Sequence, residues 1–477
     1  VGESPRPWCL PFPNQYGGYR MREIAKSALS LSWAMSLFGI SQATKLLSKA
    51  GSQEKTRQSS AATFDAATQA LGKHFDDMTG SVFQVADEVQ REMVDLIMDS
   101  FGSEGGESGR IVNLPLDMMQ HLMAGLSGIP EGQDAVPIWR EYRNKLEVFG
   151  HVKGVASTLD LPAEPPFPPL VESVAKAYEQ DQYSALWVIE GLGHFHGDTF
   201  YKEGAKLEGM LTDPSLAELP AGSLTMLHAG VGMAIAQHLL KEVDHASPRS
   251  QIRRQAERFI ELCRQNSRPG YEGAALESLG LIARNGAFYE ETRPSDMIRI
   301  LGEELAQIDE QVAGYFWHGS GRATYFVPVN FLPVFGSIPH AIQMIQRETP
   351  DEFAWRHAIA GLGWGVTMVN IRHPGIVENL LKQVGDQLSI DDAFSNGIAS
   401  AIMMRRDTTP DAPFIEQYYE HEPDSADAEL TKLWNQMVRE PCEQALEDYY
   451  PVLKQHQRLG DIFRYSSLKD LVASCKS

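Results

Sequence analysis

Cysteine is scarce in this 477-residue chain, and no cysteine-dependent motif is present. The four cysteines, Cys9, Cys263, Cys442 and Cys475, lie far apart and form no CxxC or zinc-ribbon spacing. A disulfide-built secreted domain is therefore disfavoured, and a reducing compartment such as the cytoplasm is expected. The sequence also opens without the basic-then-apolar order of a signal peptide.

Basic charge and long apolar runs are also in short supply. The chain has 42 Lys and Arg against 63 Asp and Glu, which disfavours a protein that binds the phosphates of nucleic acids. The most apolar run, residues 27–44, carries five serines and falls short of a transmembrane span. A Walker A loop, a GxSxG motif and a strand-borne GxGxxG are absent, so no cofactor can be named.

Composition divides the chain into five regions. Residues 1–20 form a lead-in rich in Pro, Gly and aromatics, and residues 21–101, which lack proline, predict amphipathic helices. Residues 102–170 form a linker and junction that ends in a proline-rich strap. Residues 171–406 predict helical repeats, and residues 407–477 predict an acidic helical region. The predicted fold is all-α, with helical hairpins arranged as an α-solenoid or an α/α ring.

The proline-free region resembles proteins that coat inclusions. The stretches SALSLSWAMSLFG, FDAATQALGKHF and VFQVADEVQREMVDLI are amphipathic and are similar to the helices of phasin-type proteins. Because phasins coat polyester or lipid inclusions, the resemblance implies a cytoplasmic protein at the surface of such a body. The alternative is a helical hairpin that packs on the rest of the protein, on a helical partner or on a second copy in a homo-oligomer.

A short glycine-rich element recurs between residues 171 and 406. The copies are IEGLGHF, HAGVGMA, YEGAALE, WHGSGRA, IAGLGWG and, more faintly, SNGIASA; their first glycines are Gly191, Gly230, Gly273, Gly319, Gly361 and Gly397. The spacings of 39, 43, 46, 42 and 36 residues are typical of a two-helix repeat. Glycine costs roughly 0.5–1 kcal/mol against alanine inside a helix. Its recurrence predicts inner helices that begin at these elements and approach one another closely, with amphipathic outer helices between them.

The order of these elements resembles a bacterial family named for enediyne biosynthesis. YEGAA (271–275), HAGVG (228–232) and GSGRATYF (319–326) match its Tyr/Phe-Glu-Gly-Ala-Ala, His-Xaa-Gly-Xaa-Gly and Gly-Xaa-Gly-Arg elements. The resemblance implies a repeat fold, a bacterial source and a link to secondary metabolism, and it brings no established reaction. The HFHGD stretch and the N-terminal helices depart from the family pattern.

The stretch EGLGHFHGDTFY (190–201) concentrates groups suited to acid–base or metal chemistry. On a helix, Glu190, His194 and Asp198 share one face, whereas in a loop His194 and His196 would converge. An acid–base pair, a His/carboxylate metal site and plain mutual pairing of polar groups all stay open. Because HEXXH is absent, no metal ligands are assigned.

Equivalent positions of a ring or tight solenoid face a common interior, so polar residues there are expected to cluster. The candidates for catalysis are Glu190, His194, Glu272 and His318. The candidates for ligand binding are His228, Arg322, Trp317, Trp364 and Tyr271. Structural pairing, such as Glu272 with Arg322, is the alternative.

Two functions fit these observations. The favoured one is a binding or scaffold protein for a hydrophobic metabolite, lipid or polymer, because no catalytic signature is complete. The other is an enzyme of secondary metabolism that uses the four catalytic candidates for acid–base chemistry on a polyene or polyketide-like substrate.

Overall fold

The computed structural model describes residues 137–287, 294–327, 330, 337–423 and 427–476. This part of the chain is helical and contains no strand, which confirms the all-α prediction. None of its helices combines the length and the apolarity that a bilayer crossing requires. The predicted lead-in, the predicted N-terminal amphipathic helices and the Gly-rich linker lie outside the described residues.

The helices are numbered here in chain order. The first nine are α1 (Pro137–Lys153), α2 (Val155–Thr158), α3 (Leu170–Tyr178), α4 (Gln182–Lys202), α5 (Ala221–Leu240), α6 (Arg249–Asn266), α7 (Glu272–Ile282), α8 (Pro294–Ile308) and α9 (Glu310–Thr324). The next nine are α10 (Ser337–Glu348), α11 (Glu352–Asn370), α12 (Gly375–Leu388), α13 (Ala393–Thr408), α14 (Phe414–Tyr419), α15 (Ala428–Trp434), α16 (Glu440–Gln444), α17 (Tyr450–Gln455) and α18 (Leu468–Cys475). Two short 3-10 helices are Pro214–Leu216 and Leu459–Phe463, and three π-helical turns are Ala283–Ala287, Asn435–Arg439 and Ala445–Tyr449.

Six helices, α4, α5, α7, α9, α11 and α13, form an inner row in which each packs along the next. These helices are apolar on nearly every side; in α5, every residue from Ser223 to Ala236 is buried. A helix without a polar face must be covered all round. The outer helices α6, α8, α10 and α12 are amphipathic, and they place apolar side chains inward and charged side chains in solvent.

Aspartate side chains mark the start of three inner helices. Asp181, Asp309 and Asp351 accept backbone N–H groups from the first turns of α4, α9 and α11. The glycine elements lie in the middle of these helices, as Gly191 does in α4 and Gly361 does in α11. The expectation that each inner helix begins at its glycine element is therefore wrong.

The glycines lie where neighbouring inner helices come closest. At four of the six elements, a Cβ at the first glycine would overlap a backbone carbonyl of the preceding inner helix. The pairs are Gly230 with Glu190, Gly319 with Glu277, Gly361 with His318 and Gly397 with Ala360. This confirms that these glycines permit the close approach of the inner helices, because a Cβ at these four positions would push the two backbones apart.

The third element has a different register from the one that the glycine pattern indicates. Gly273 lies near the start of α7, against the carbonyl of Gly460. The equivalent contact with α5 is made by Ser278, whose hydroxyl donates to the Ala229 carbonyl at 2.8 Å. The third element therefore reads ESLG, parallel to EGLG in α4. The alignment on Gly273 is wrong because a serine stands where the other elements have glycine.

The two ends of the inner row meet. Arg405 of α13 donates to the Tyr183 carbonyl of α4 at 2.8 Å, and the Tyr183 hydroxyl donates to the Val369 carbonyl of α11 at 3.1 Å. A Cβ at Gly222 of α5 would lie 2.6 Å from the Asp407 carbonyl oxygen of α13. These contacts bring the first turns of α4 and α5 against the last turns of α11 and α13.

The segments on either side of the predicted repeat region pack on the row. The predicted boundary after residue 406 falls inside α13, and α16 with its flanking turns packs against that helix. The 3-10 segment Leu459–Phe463 packs on α7. Helix α1, which the sequence places in the junction, packs against α4 and α11. These flanking segments therefore help to form the surroundings of the candidate site.

Candidate functional site

A buried arginine links three inner helices. Arg322 of α9 donates through Nη2 to Oε1 of Glu190 on α4 at 2.7 Å and through Nη1 to Oε2 of Glu277 on α7 at 3.1 Å. The three side chains are 4%, 2% and 0% exposed, respectively. Two carboxylates and one guanidinium thus meet inside the row, and the hydrogen bonds offset part of the cost of burying their charges.

A histidine and a tryptophan complete this cluster. Nδ1 of His318 lies 3.3 Å from Oε1 of Glu277, and the guanidinium of Arg322 lies 4.3 Å from the ring centre of Trp364. Both added side chains are buried. Neither Nε2 of His318 nor Nε1 of Trp364 has a hydrogen-bond partner within the described part of the chain.

The two carboxyl groups of the cluster are shifted in opposite directions. Burial raises the pKa of Glu190, and the charge of Arg322 only partly opposes this. Burial also acts on Glu277, but the charge of Arg322 and the hydrogen bond with His318 hold the pKa of that carboxyl below its usual value. The two carboxylates raise the pKa of Arg322. Glu277 and Arg322 are therefore charged at neutral pH, and Glu190 is the group closest to taking up a proton.

Glu272 does not belong to this cluster. Its side chain lies at the start of α7, is 40% exposed and pairs with Arg264 at 2.9 Å. Glu277, further along the same helix, occupies the interior position. The sequence missed it because the register of the third element was set by Gly273 instead of Ser278. The placement of Glu272 with Glu190 and His318 is therefore wrong.

The stretch 190–201 is wholly helical, and its polar groups have separate partners. After Glu190, the pairs are His194 with Gln237 Oε1 at 2.9 Å, His196 with the Met210 carbonyl at 2.8 Å and Asp198 with His238 at 2.8 Å. The two histidines do not converge, and the expectation that His194 joins Glu190 and His318 in one cluster is wrong, because His194 pairs with Gln237 of α5. Among the described residues, no group of three His, Cys, Asp or Glu side chains is arranged to hold a metal ion.

The ligand-binding candidates divide between the cluster and other places. Arg322 and Trp364 lie in the cluster. His228 and Tyr271 stack on each other with ring centres 5.2 Å apart. Trp317 packs against α8 on the outer side of α9. These last three residues are therefore not brought together with the cluster.

His228 is held in its neutral form. Its Nδ1 lies 2.6 Å from the Leu224 carbonyl, to which it donates, and its Nε2 accepts the backbone N–H of Arg268 at 3.0 Å. If Nε2 carried a proton, it could no longer accept this hydrogen bond, and its N–H would face the N–H of Arg268. Burial lowers the pKa of His228 to about 4.

Replacing His228 with glutamine is expected to flatten the pH dependence of stability. The unfolded chain binds a proton near pH 6.5, whereas native His228 binds one only near pH 4. The wild-type free energy of unfolding should therefore fall as the pH decreases through this window. Within this window, the free energy of unfolding of the variant should decrease by about 1.4 kcal/mol less per pH unit than that of the wild type. Urea unfolding at several pH values between 7 and 4 measures both slopes, and parallel slopes would contradict the prediction.

A cavity opens beside the Glu190–Arg322 pair. The space between its lining residues, with the adjoining open solvent included, is about 560 Å³, and α1, α4, α5, α7 and α9 contribute to its wall. Most of the lining is apolar, with side chains such as Val148, Phe149, Met233, Leu281 and Phe326. The ionisable lining residues are Lys153, Glu190 and Arg322. Apolar walls with a few converging polar groups are the usual form of a small-molecule site.

Lys153 is a lining residue that the sequence analysis did not single out. It is the last residue of α1, and burial lowers the pKa of its ammonium to about 8. No hydrogen bond or ion pair joins it to another residue of the described ranges. It lies outside the repeat region and in no motif. The only local signal is its position directly after Val152, on the apolar side of α1.

A comparison of this chain with family models, with curated proteins and with solved structures finds no match. The resemblances to phasins and to the enediyne family therefore stay predictions. Function has to be argued from the chemistry of the site.

Proposed function

We propose that this helical protein binds a small hydrophobic molecule in the cavity beside Glu190 and Arg322. The observation that carries the proposal is the cavity itself, which has apolar walls and three ionisable side chains in its lining. Burying the apolar part of a ligand there would supply the main driving force, at about 25 cal/mol per Å² of apolar surface. Binding of a lipid or polymer through residues 21–101 stays a separate prediction, since those residues lie outside the described ranges.

Binding is favoured over catalysis by the position of the acid–base groups. Glu277 and His318 are buried and paired with each other, and they do not line the cavity. A catalytic acid or base must come within hydrogen-bond reach of the proton that it transfers. Glu190 does border the cavity, but it is held by Arg322.

An acid–base enzyme is the second candidate, and one observation favours it. The pKa values of Glu190 and Glu277 are shifted in opposite directions, an arrangement that separates an acid from a base. Glu190 would then be the proton donor. Glu190→Gln distinguishes the two functions, because a binding protein keeps its affinity for a neutral ligand whereas an enzyme loses turnover.

Narrowing the cavity is expected to weaken ligand binding at least tenfold, about 1.4 kcal/mol. Leu281→Phe adds bulk to a half-buried lining position near the end of α7. The larger ring should occupy space that the ligand needs. The neutral fluorophore N-phenyl-1-naphthylamine serves as a probe, and its fluorescence increase on binding to the full chain gives the dissociation constant.

The matched control for this experiment is Leu239→Phe. Leu239 is also half-buried in an inner helix but does not line the cavity. The Leu239→Phe variant should bind the probe with the same affinity as the wild type. Equal affinities of the wild type and Leu281→Phe would place the probe elsewhere and overturn the proposal.

A further inference from the structure

Lys153 is half-buried, and no carboxylate of the described residues pairs with its ammonium. It borders the cavity beside the apolar side chains of Val148, Phe149 and Val152. Desolvation acts on it without a compensating carboxylate from the described residues. A cation in an apolar wall is costly unless a counter-charge accompanies it. A ligand is one source of that charge.

The other charged groups of the lining, Glu190 and Arg322, are paired with each other. The guanidinium of Arg322 is shared by Glu190 and Glu277, so both of its terminal nitrogens already donate to carboxylates. Burial and this pairing leave it no free charge for a ligand. Within the described lining, Lys153 is therefore the cation that a ligand can neutralise.

We propose that the cavity selects a hydrophobic monocarboxylic acid, with its carboxylate on Lys153 and its apolar body against the remaining wall. This inference rests on the proposed binding function and adds the head group of the ligand. A single negative charge fits best because Glu190, on the same lining, repels a second one. Phosphate monoesters, which carry about −1.5 to −2, are therefore disfavoured.

Displacement of N-phenyl-1-naphthylamine from the full chain at pH 7 tests this head group. Octanoate should displace the probe at concentrations about tenfold or more below those of 1-octanol, which has the same chain but no charge. Octyl phosphate should displace it less well than octanoate. Each CH₂ added to a shorter acid should improve affinity about fourfold until the cavity is full.

Variants of Lys153 identify the group responsible. Lys153→Met should reduce octanoate affinity about tenfold or more and leave 1-octanol within about twofold, because it removes the charge and keeps an apolar side chain. Lys153→Arg should retain the preference for octanoate. The control is Lys202→Met, since Lys202 is exposed, pairs with Asp198 and does not line the cavity.

The outcomes separate the two proposals. If 1-octanol displaces the probe but octanoate is no better, or if the preference survives Lys153→Met, the head-group inference is overturned and the binding function stands. If the wild type binds none of the three compounds (the probe, 1-octanol and octanoate), the proposed binding function is itself overturned. A preference for octanoate that disappears in Lys153→Met and persists in Lys202→Met supports both.

Discussion

Replacing Arg322 with methionine is expected to lower the free energy of unfolding by about 3–5 kcal/mol at neutral pH. The substitution preserves much of the apolar volume and removes the only charge that Glu190 and Glu277 share. Two buried carboxyl groups would then lose their charged partner, and each would have to take up a proton or bear the cost of an unpaired charge. Urea unfolding at pH 7 measures the loss.

Charge counting provides the control. The wild-type trio carries two negative charges and one positive charge when fully ionised, so removal of Arg322 leaves two negative charges while removal of Glu190 leaves a neutral pair. Glu190→Gln should therefore cost only about 1 kcal/mol, close to the value of one hydrogen bond. Equal losses in the two variants would mean that charge burial does not govern this site.

The pH dependence gives an independent measurement on Arg322→Met. Without the arginine, burial should raise the pKa of both carboxyl groups above their unfolded value. Groups with a raised folded pKa contribute stability that is present at low pH and lost as the pH increases through that pKa. The deficit relative to the wild type should therefore shrink between pH 7 and pH 5. A deficit that grows in acid would contradict the assignment.

The sequence predicted the meeting of Glu190, His318 and Arg322, although these residues are far apart in the chain. The reason is that they lie beside the glycine elements of α4 and α9, and the long side chain of Arg322 reaches from α9 to Glu190 on α4. The same alignment misplaced Glu272. It set the register of the third element by Gly273, whereas Ser278 occupies the position that glycine has in the other elements. The register is revealed by the contacts of α7, in which Ser278 donates to α5 and the Glu277 carbonyl lies against Gly319 of α9.

The cavity was beyond the reach of the sequence for a different reason. Its wall combines α1 with four inner helices, and α1 comes from a segment that carries no repeat. A lysine beside apolar residues on a helix usually extends its ammonium into solvent. The surroundings of Lys153 depend on where α1 docks against α4 and α11, which is a property of tertiary packing.

The buried cluster and the cavity have two residues in common. Glu190 and Arg322 both line the cavity, whereas Glu277 and His318 lie behind them and are fully enclosed. The enclosed pair fixes the position of the arginine, and the arginine fixes the carboxylate that borders the cavity. We therefore expect the shape of the cavity to depend on the close helix crossings that bring α4, α7 and α9 together.

Adding one methyl group at such a crossing is expected to have a large effect. In Gly361→Ala, the new Cβ would overlap the carbonyl oxygen of His318, which is backbone and cannot rotate away. Helices α9 and α11 must separate, and this should cost about 3 kcal/mol in the free energy of unfolding, even though alanine is the better helix former. Urea unfolding measures the loss.

Gly365 provides a control one turn further along the same helix. It is also buried, but a Cβ there would lie 3.6 Å from the nearest atoms, which belong to Arg322, and this is an ordinary van der Waals distance. Gly365→Ala should therefore stabilise the protein by about 0.5–1 kcal/mol through helix propensity alone. Both variants add one Cβ atom to the same helix. The difference between their effects on the free energy of unfolding therefore depends on how close the neighbouring backbone lies. Similar unfolding curves for both would show that α9 and α11 do not cross at the distance on which the cluster and the cavity depend.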